Sequence, residues 1–181
     1  MQIINQSNFL KYSMEKHTYK SIIAFCLIAL LGTGCFKDED FNFDKIRLVE
    51  FEDAVRLTPP AGFSYGVITV TRTTASRNFQ VNLVGKQLEA PETIRFSVDT
   101  AISRFLNATT IRAVEGVHYD LQGGNLNFEV AKSTANVTLR LPANIPQNTG
   151  RTALLVLKLD GNDNIKPSEN YRRIGVRINL N

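Results

Sequence analysis

Apolar residues recur at every second position in one short run of this chain after another, the periodicity of half-buried β-strands. In residues 78–84, Phe79, Val81 and Leu83 alternate with Gln80 and Asn82. The same rhythm sets Ile94, Phe96 and Val98 on one face, then Leu126, Phe128 and Val130, then Ala135, Val137, Leu139 and Leu141. Residues 172–180 close the chain with Ile174, Val176, Ile178 and Leu180 inward and Arg173, Arg177 and Asn179 outward. Residues 45–51 (Ile46, Leu48, Val49, Phe51) and 65–71 (Val67, Ile68, Val70) add two further strands, separated by the breaker Thr58-Pro59-Pro60-Ala61-Gly62. Residues 152–159 differ: Leu155, Leu157 and Leu159 lie on one face, and Leu154 and Val156 on the other. That pattern predicts a central strand covered on both sides. No segment has a convincing amphipathic helical period. Residues 101–114 fit either one helical turn at Ser103–Leu106 or an irregular strand edge. Seven or eight short strands at this spacing predict an all-β chain folded as a single antiparallel sandwich.

The stretch from Ala113 to Pro142 carries the most local information. Gly116 precedes Val117-His118-Tyr119-Asp120, and Gly123-Gly124 offers the freedom for a tight reversal into the Leu126 strand, read here as a hairpin. Tyr119 reads as a core aromatic whose hydroxyl caps a nearby loop, and His118 as a turn residue bonded to backbone. Pro142, without a backbone donor, ends the following strand. This order of features resembles the Calx-β family of immunoglobulin-like sandwiches, in which a Gly-x-Asp-Tyr turn leads through glycine into a Leu-x-Phe strand. It is similar also to a set of Bacteroidetes surface lipoproteins of unknown function. The resemblance spans residues 94–180 and is most specific at 116–128. It implies an immunoglobulin-like, Calx-β-like sandwich over residues 45–181. His118 stands where Calx-β has an aspartate, and the acidic pairs that bind calcium there are missing, so no calcium site is implied.

The first 34 residues are patterned differently. An apolar run of eleven, Ser21 to Leu31, is too short to span a bilayer. It follows Lys16 and Lys20 and leads into Gly32-Thr33-Gly34-Cys35, the basic, apolar and small-residue order of a signal peptide. The alternative is a plain secretory signal with an incidental cysteine. Met14 opens a better-proportioned leader than Met1, which makes residues 1–13 a candidate misassigned start. Cys35 after small residues resembles a bacterial lipobox, which implies a lipidated terminus at Cys35, a tether over residues 35–44 and the membrane as a partner through that lipid. Cys26, the other of the chain's two cysteines, lies in the leader, so the mature chain has no second thiol for a disulfide. Lys37, Asp38 and Glu39 are similar to the export signal of Bacteroidetes lipoproteins displayed on the outer face of the outer membrane. They serve equally as a charged tether.

Charge and chemistry narrow the function without naming it. The mature 147 residues carry 18 basic and 16 acidic side chains once Lys11, Lys16, Lys20 and Glu15 are removed, and nothing suggests a nucleic-acid groove. His118 is the one histidine left, so no histidine pair is present for a metal, and no nucleophile elbow, phosphate loop or His-Glu-x-x-His helix appears. Asp160-Gly161-Asn162-Asp163-Asn164 begins like a calcium loop. It then places Ile165 at the turn glycine and Tyr171 at the bidentate acid, so it reads as a turn. Asp99-Thr100-Ala101 resembles a Bacteroidetes O-glycosylation tripeptide, making Thr100 a candidate acceptor. These readings predict no cofactor, no metal and no catalysis. Two functions remain open: a surface binding module accessory to glycan capture, or a structural module docking on a larger outer-membrane or adhesin partner. Against glycans, the chain has no tryptophan, and its mature aromatic candidates are Tyr65, Tyr171 and phenylalanines.

Overall fold

Alternation in the sequence becomes alternation in burial. The computed structural model describes residues 46–181. Its strands are β1 (Arg47–Phe51), β2 (Val67–Thr71), β3 (Ser76–Gly85), β4 (Glu92–Val98), β5 (Thr110–Arg112), β6 (Asp120–Leu121), β7 (Asn125–Phe128), β8 (Thr134–Arg140), β9 (Thr152–Gly161), β10 (Lys166–Pro167) and β11 (Arg173–Asn179). One sheet has the order β10-β1-β3-β8-β6. The other is β2-β11-β9-β4-β7, with β5 beside the first residues of β9. Eight strands have four or more residues, in keeping with the predicted seven or eight. The chain is a β-sandwich. Val49, Phe51, Phe79, Val81 and Leu139 of the first sheet face Ile94, Phe128, Leu155, Leu157 and Ile174 of the second, all fully or almost fully buried. Each such side chain contributes about 1.5–3 kcal/mol of burial. Phe51 and Phe79 meet edge to face at 6.4 Å, tying β1 to β3.

Antiparallel pairing dominates, but β2–β11, β1–β10 and β5–β9 run parallel. Long stretches of chain separate each of those partners, as parallel pairing requires. A five-residue helix, α1 (Glu52–Arg56), follows β1 directly, a turn too short to show a helical period in sequence. Between residues 101 and 114 both predicted alternatives occur: a 3-10 turn at Ser103–Phe105 and the short strand β5.

Two local expectations are corrected. Gly123-Gly124 does not close a hairpin. β6 pairs with β8 in the first sheet and β7 with β4 in the second, so these glycines carry the chain from one sheet to the other. Gly123 has φ 72°, and the Gly124 carbonyl accepts the Phe96 N–H at 2.8 Å. Val130 is not an inward strand residue but 46% exposed. The strand ends at Phe128, and a turn follows in which Ala131 takes φ 59° and the Lys132 N–H reaches the Glu129 carbonyl.

β9 is covered on both faces, as predicted. Its outer residues Leu154 and Val156 are fully buried beneath Tyr65 and Ile102, with Phe63, Phe105 and Leu106 around them. The loops that precede β2 and β5 thus build a second, smaller core on the outside of the sandwich.

Candidate functional site

That outer core forms one wall of a cleft at the loop end of the sandwich. Phe63 and Phe105 stack with centroids 4.1 Å apart, and Tyr65 meets both edge-on at 5.6 and 6.1 Å. The Arg104 guanidinium lies 4.5 Å over Phe105 and that of Arg177 5.2 Å over Phe63. Beneath, Gly175 admits the cluster: a Cβ there would lie 2.9 Å from Val67 Cγ2 and 3.3 Å from the Tyr65 ring. Tyr65, 6% exposed, is therefore a fixed wall rather than a mobile arm.

The opposite wall is the segment from Ser168 to Arg172, fastened by backbone on both sides. The Ser168 N–H donates to the Val49 carbonyl (2.8 Å), the Phe51 N–H to that of Tyr171 (3.0 Å) and the Leu159 N–H to that of Arg172 (2.9 Å). Between the walls lie two neighbouring lobes that share Ser64, Tyr65 and Asn170 in their lining. The first, about 410 Å³, is lined by Leu57, Pro59 and the 37%-exposed Tyr171. The second, about 290 Å³, is lined by Glu169, Arg172 and Arg173. Both lie near the lower bound of small-molecule sites, about 300–1,000 Å³.

The two arginines differ in state. Arg173 Nε donates to Asp99 Oδ2 at 2.7 Å, and Asp99 Oδ1 also accepts the Ala101 N–H at 3.0 Å. Burial alone would push the Asp99 carboxyl up, but these bonds and the Arg173 charge outweigh it and hold the group below the usual range. Burial, with the Asp99 charge second, pushes the Tyr65 phenol up. Arg172 has no such anchor: its Nε is buried without a hydrogen-bond partner, and among the described residues its guanidinium has no ion pair.

The residues singled out in the sequence fall elsewhere, Tyr65 and Tyr171 excepted. Cys35, Lys37, Asp38 and Glu39, with the leader and tether, lie outside the described residues. Thr100 is exposed beside the Asp99 turn, and its carbonyl accepts Arg112 Nη1 at 3.0 Å. His118 is a buried turn residue bonded to backbone: its Nδ1 accepts the Val114 N–H at 3.0 Å, and burial pushes the imidazole below its ordinary pKa. Tyr119 is a core residue, but its hydroxyl has no hydrogen-bond partner among the described residues, so it does not cap a loop. The loop is closed instead by the Gly116 N–H on the Tyr119 carbonyl at 2.8 Å. Asp160 pairs with Lys158 at 2.8 Å. Asn162 Oδ1 accepts the Asn164 and Ile165 N–H groups, while its amide and that of Asn164 donate to Glu92. The loop's polar atoms thus tie it to β4. Among the described residues no group of three metal-ligating side chains gathers.

Sequence reading missed Arg172, Asn170 and the Phe63–Phe105 stack. The available signal was the second apolar face of β9, which needed aromatic residues from somewhere to cover it.

No family model matches the chain, and no curated protein matches it by sequence. Among solved structures, a two-domain protein of unknown function from Bacteroides fragilis aligns with a TM-score of 0.53 at 12% identity, over 76% of this chain and 46% of its own. A proposed carbohydrate-binding protein from Bacteroides ovatus aligns at 0.50 and 10% identity, over 74% of this chain and 37% of its own. The apo Calx CBD1 domain aligns at 0.49 and 11%, over 74% of this chain and 98% of its own. The chain therefore spans less than half the length of the two Bacteroides proteins. At these identities the likeness is one of fold.

Proposed function

We propose that this chain is a non-catalytic binding module that takes a glycan in the loop-end cleft and is held at the outer membrane, facing outward, by a lipid on Cys35. The cleft carries the reading. It joins an exposed aromatic, Tyr171, to neutral hydrogen-bonding groups on Ser64 and Asn170 between two walls fixed by packing and backbone bonds. A sugar ring needs an apolar face to rest on and amide or hydroxyl partners at its rim. Among the cleft's lining residues the one carboxylate is Glu169, exposed at the rim, and no second carboxylate or histidine lines the cleft for acid–base work. The proposed carbohydrate-binding protein from Bacteroides ovatus shares the fold, which is compatible with the reading and no more.

Two experiments test it. Cys35→Ala should move the full chain from the membrane fraction to the soluble one, and alanines at Lys37, Asp38 and Glu39 should leave it anchored but shielded from external protease in intact cells. A Cys35→Ala chain that still sediments with membranes refutes the anchor. The soluble Cys35→Ala chain should then bind members of an oligosaccharide array. Adding Tyr171→Ala should weaken that binding by about tenfold, the effect of losing an aromatic anchor of about 1.4 kcal/mol. Unchanged binding would remove Tyr171 from the site.

The second reading, docking on a larger outer-membrane partner, is favoured by the edge of β7, which pairs only with β4 among the described residues. That edge borders an open groove of about 560 Å³ lined by Asn125, Asn127 and Lys132. A chain that binds no oligosaccharide, and is captured by an outer-membrane protein only while the β7 edge is free of proline, would support it.

A further inference from the structure

We infer that the cleft selects acidic sugars, with the sugar ring against Tyr171 and its carboxylate or sulfate on Arg172. This rests on the glycan reading above and adds the chemical class of the ligand. Arg172 is half-buried and lines the 290 Å³ lobe, and among the described residues its guanidinium has no ion pair. Its neighbour Arg173 shows the alternative, a guanidinium neutralised by an internal carboxylate. Charge in the lobe is thus uneven. Arg173 and Asp99 cancel, Glu169 stands exposed at the rim where water screens it, and the half-buried Arg172 charge is the less screened of the two.

An oxyanion entering the lobe would meet Arg172 through its Nη pair, in the fork geometry that guanidinium offers to carboxylate and sulfate. Ser64, Tyr65 and Asn170 line both lobes, so a group bound in one would lie beside a ring resting on Tyr171 in the other. Lobes of about 410 and 290 Å³ are of a size for one or two sugar units. Backbone bonds from Leu159 and Phe51 hold Arg172 and Tyr171 in place before any ligand arrives.

The test uses the full chain carrying Cys35→Ala and an array of paired oligosaccharides: galacturonate, hyaluronan and sialylated chains with their carboxyl-reduced counterparts, and sulfated chains with desulfated ones. The acidic member of a bound pair should bind about tenfold tighter or more, and its affinity should fall as salt rises. Arg172→Met should abolish that preference, and Arg172→Lys should keep part of it. Arg172→Met should also melt at or above the parent temperature, since it removes a buried unpartnered N–H, so lost binding cannot be ascribed to lost folding. If neutral counterparts bind as well as acidic ones and Arg172→Met changes nothing, the acidic inference falls while the glycan reading stands. If no array member binds, both fall. Tighter binding of an Asp-rich peptide than of any array member would overturn the inference in favour of a protein partner.

Discussion

Tyr119→Ala is expected to lower the unfolding free energy by about 3–5 kcal/mol, the usual cost of truncating a large core aromatic. Tyr119→Phe is expected to leave it within about 0.5 kcal/mol. Tyr119 is 5% exposed and belongs to the main core, where it is delivered by the loop that Gly116 opens at φ 75°. The loop needs no help from the phenol, because the bonds that close it are backbone bonds and the His118 side chain. The hydroxyl lacks a protein partner among the described residues. Burial, with the Glu115 charge second, pushes its pKa up, as for a phenol whose ionised form the site disfavours. Losing the ring therefore opens a cavity, while losing the oxygen removes little. Urea unfolding of the two variants, compared at constant m-value, decides the matter. A loss of about 1.5 kcal/mol in Tyr119→Phe would mean the hydroxyl has a partner after all. A stable Tyr119→Ala protein would move the residue out of the core.

The sequence made some of this legible because the information was local. Phe79, Val81 and Leu83 on β3 needed only a period of two to declare their inward face, and they are buried as that period requires. Leu154 and Val156 went further, implying an outer cover before its source was known. What could not be read was partner choice. A glycine with positive φ serves a hairpin and a crossing between sheets alike, so Gly123-Gly124 gave no sign that β6 and β7 part company. The alternation in β2 and β11 is the same whichever direction the strands run, so their parallel pairing was equally hidden. The cleft was hidden for a third reason. Arg172 and Arg173 look alike in sequence as polar residues at the start of a strand, and only the folded chain brings Asp99 to one and leaves the other without a carboxylate.

Gly161→Ala is expected to destabilise the fold by about 2–5 kcal/mol, combining about 1–2 for a left-handed non-glycine residue with about 1–3 for overpacking. Gly161 ends β9 at φ 70°, and a Cβ built on it would run into the Ile165 carbonyl oxygen and lie 3.0 Å from Pro167 Cδ. Neither neighbour can give way freely. The Ile165 oxygen accepts the Asn162 N–H at 2.9 Å, and Pro167 belongs to β10, which pairs with β1. The register of β4 against β9 also shifts beside this residue, between Arg95 and Phe96, so the backbone there is already irregular. Gly150→Ala supplies the control. Gly150 has φ 80° but nothing within 4 Å of the added carbon, so its alanine should cost only the conformational part, about 1–2 kcal/mol. The difference between the two variants isolates the steric contribution. The effect should also reach the cleft, because β10 leads directly into the Ser168–Arg172 wall, and a displaced Pro167 would shift Tyr171 and Arg172 together. Gly161→Ala should then weaken oligosaccharide binding where Gly150→Ala does not. Equal unfolding midpoints for the two alanine variants would show that the Ile165 turn has room to move, and would disconnect it from the cleft.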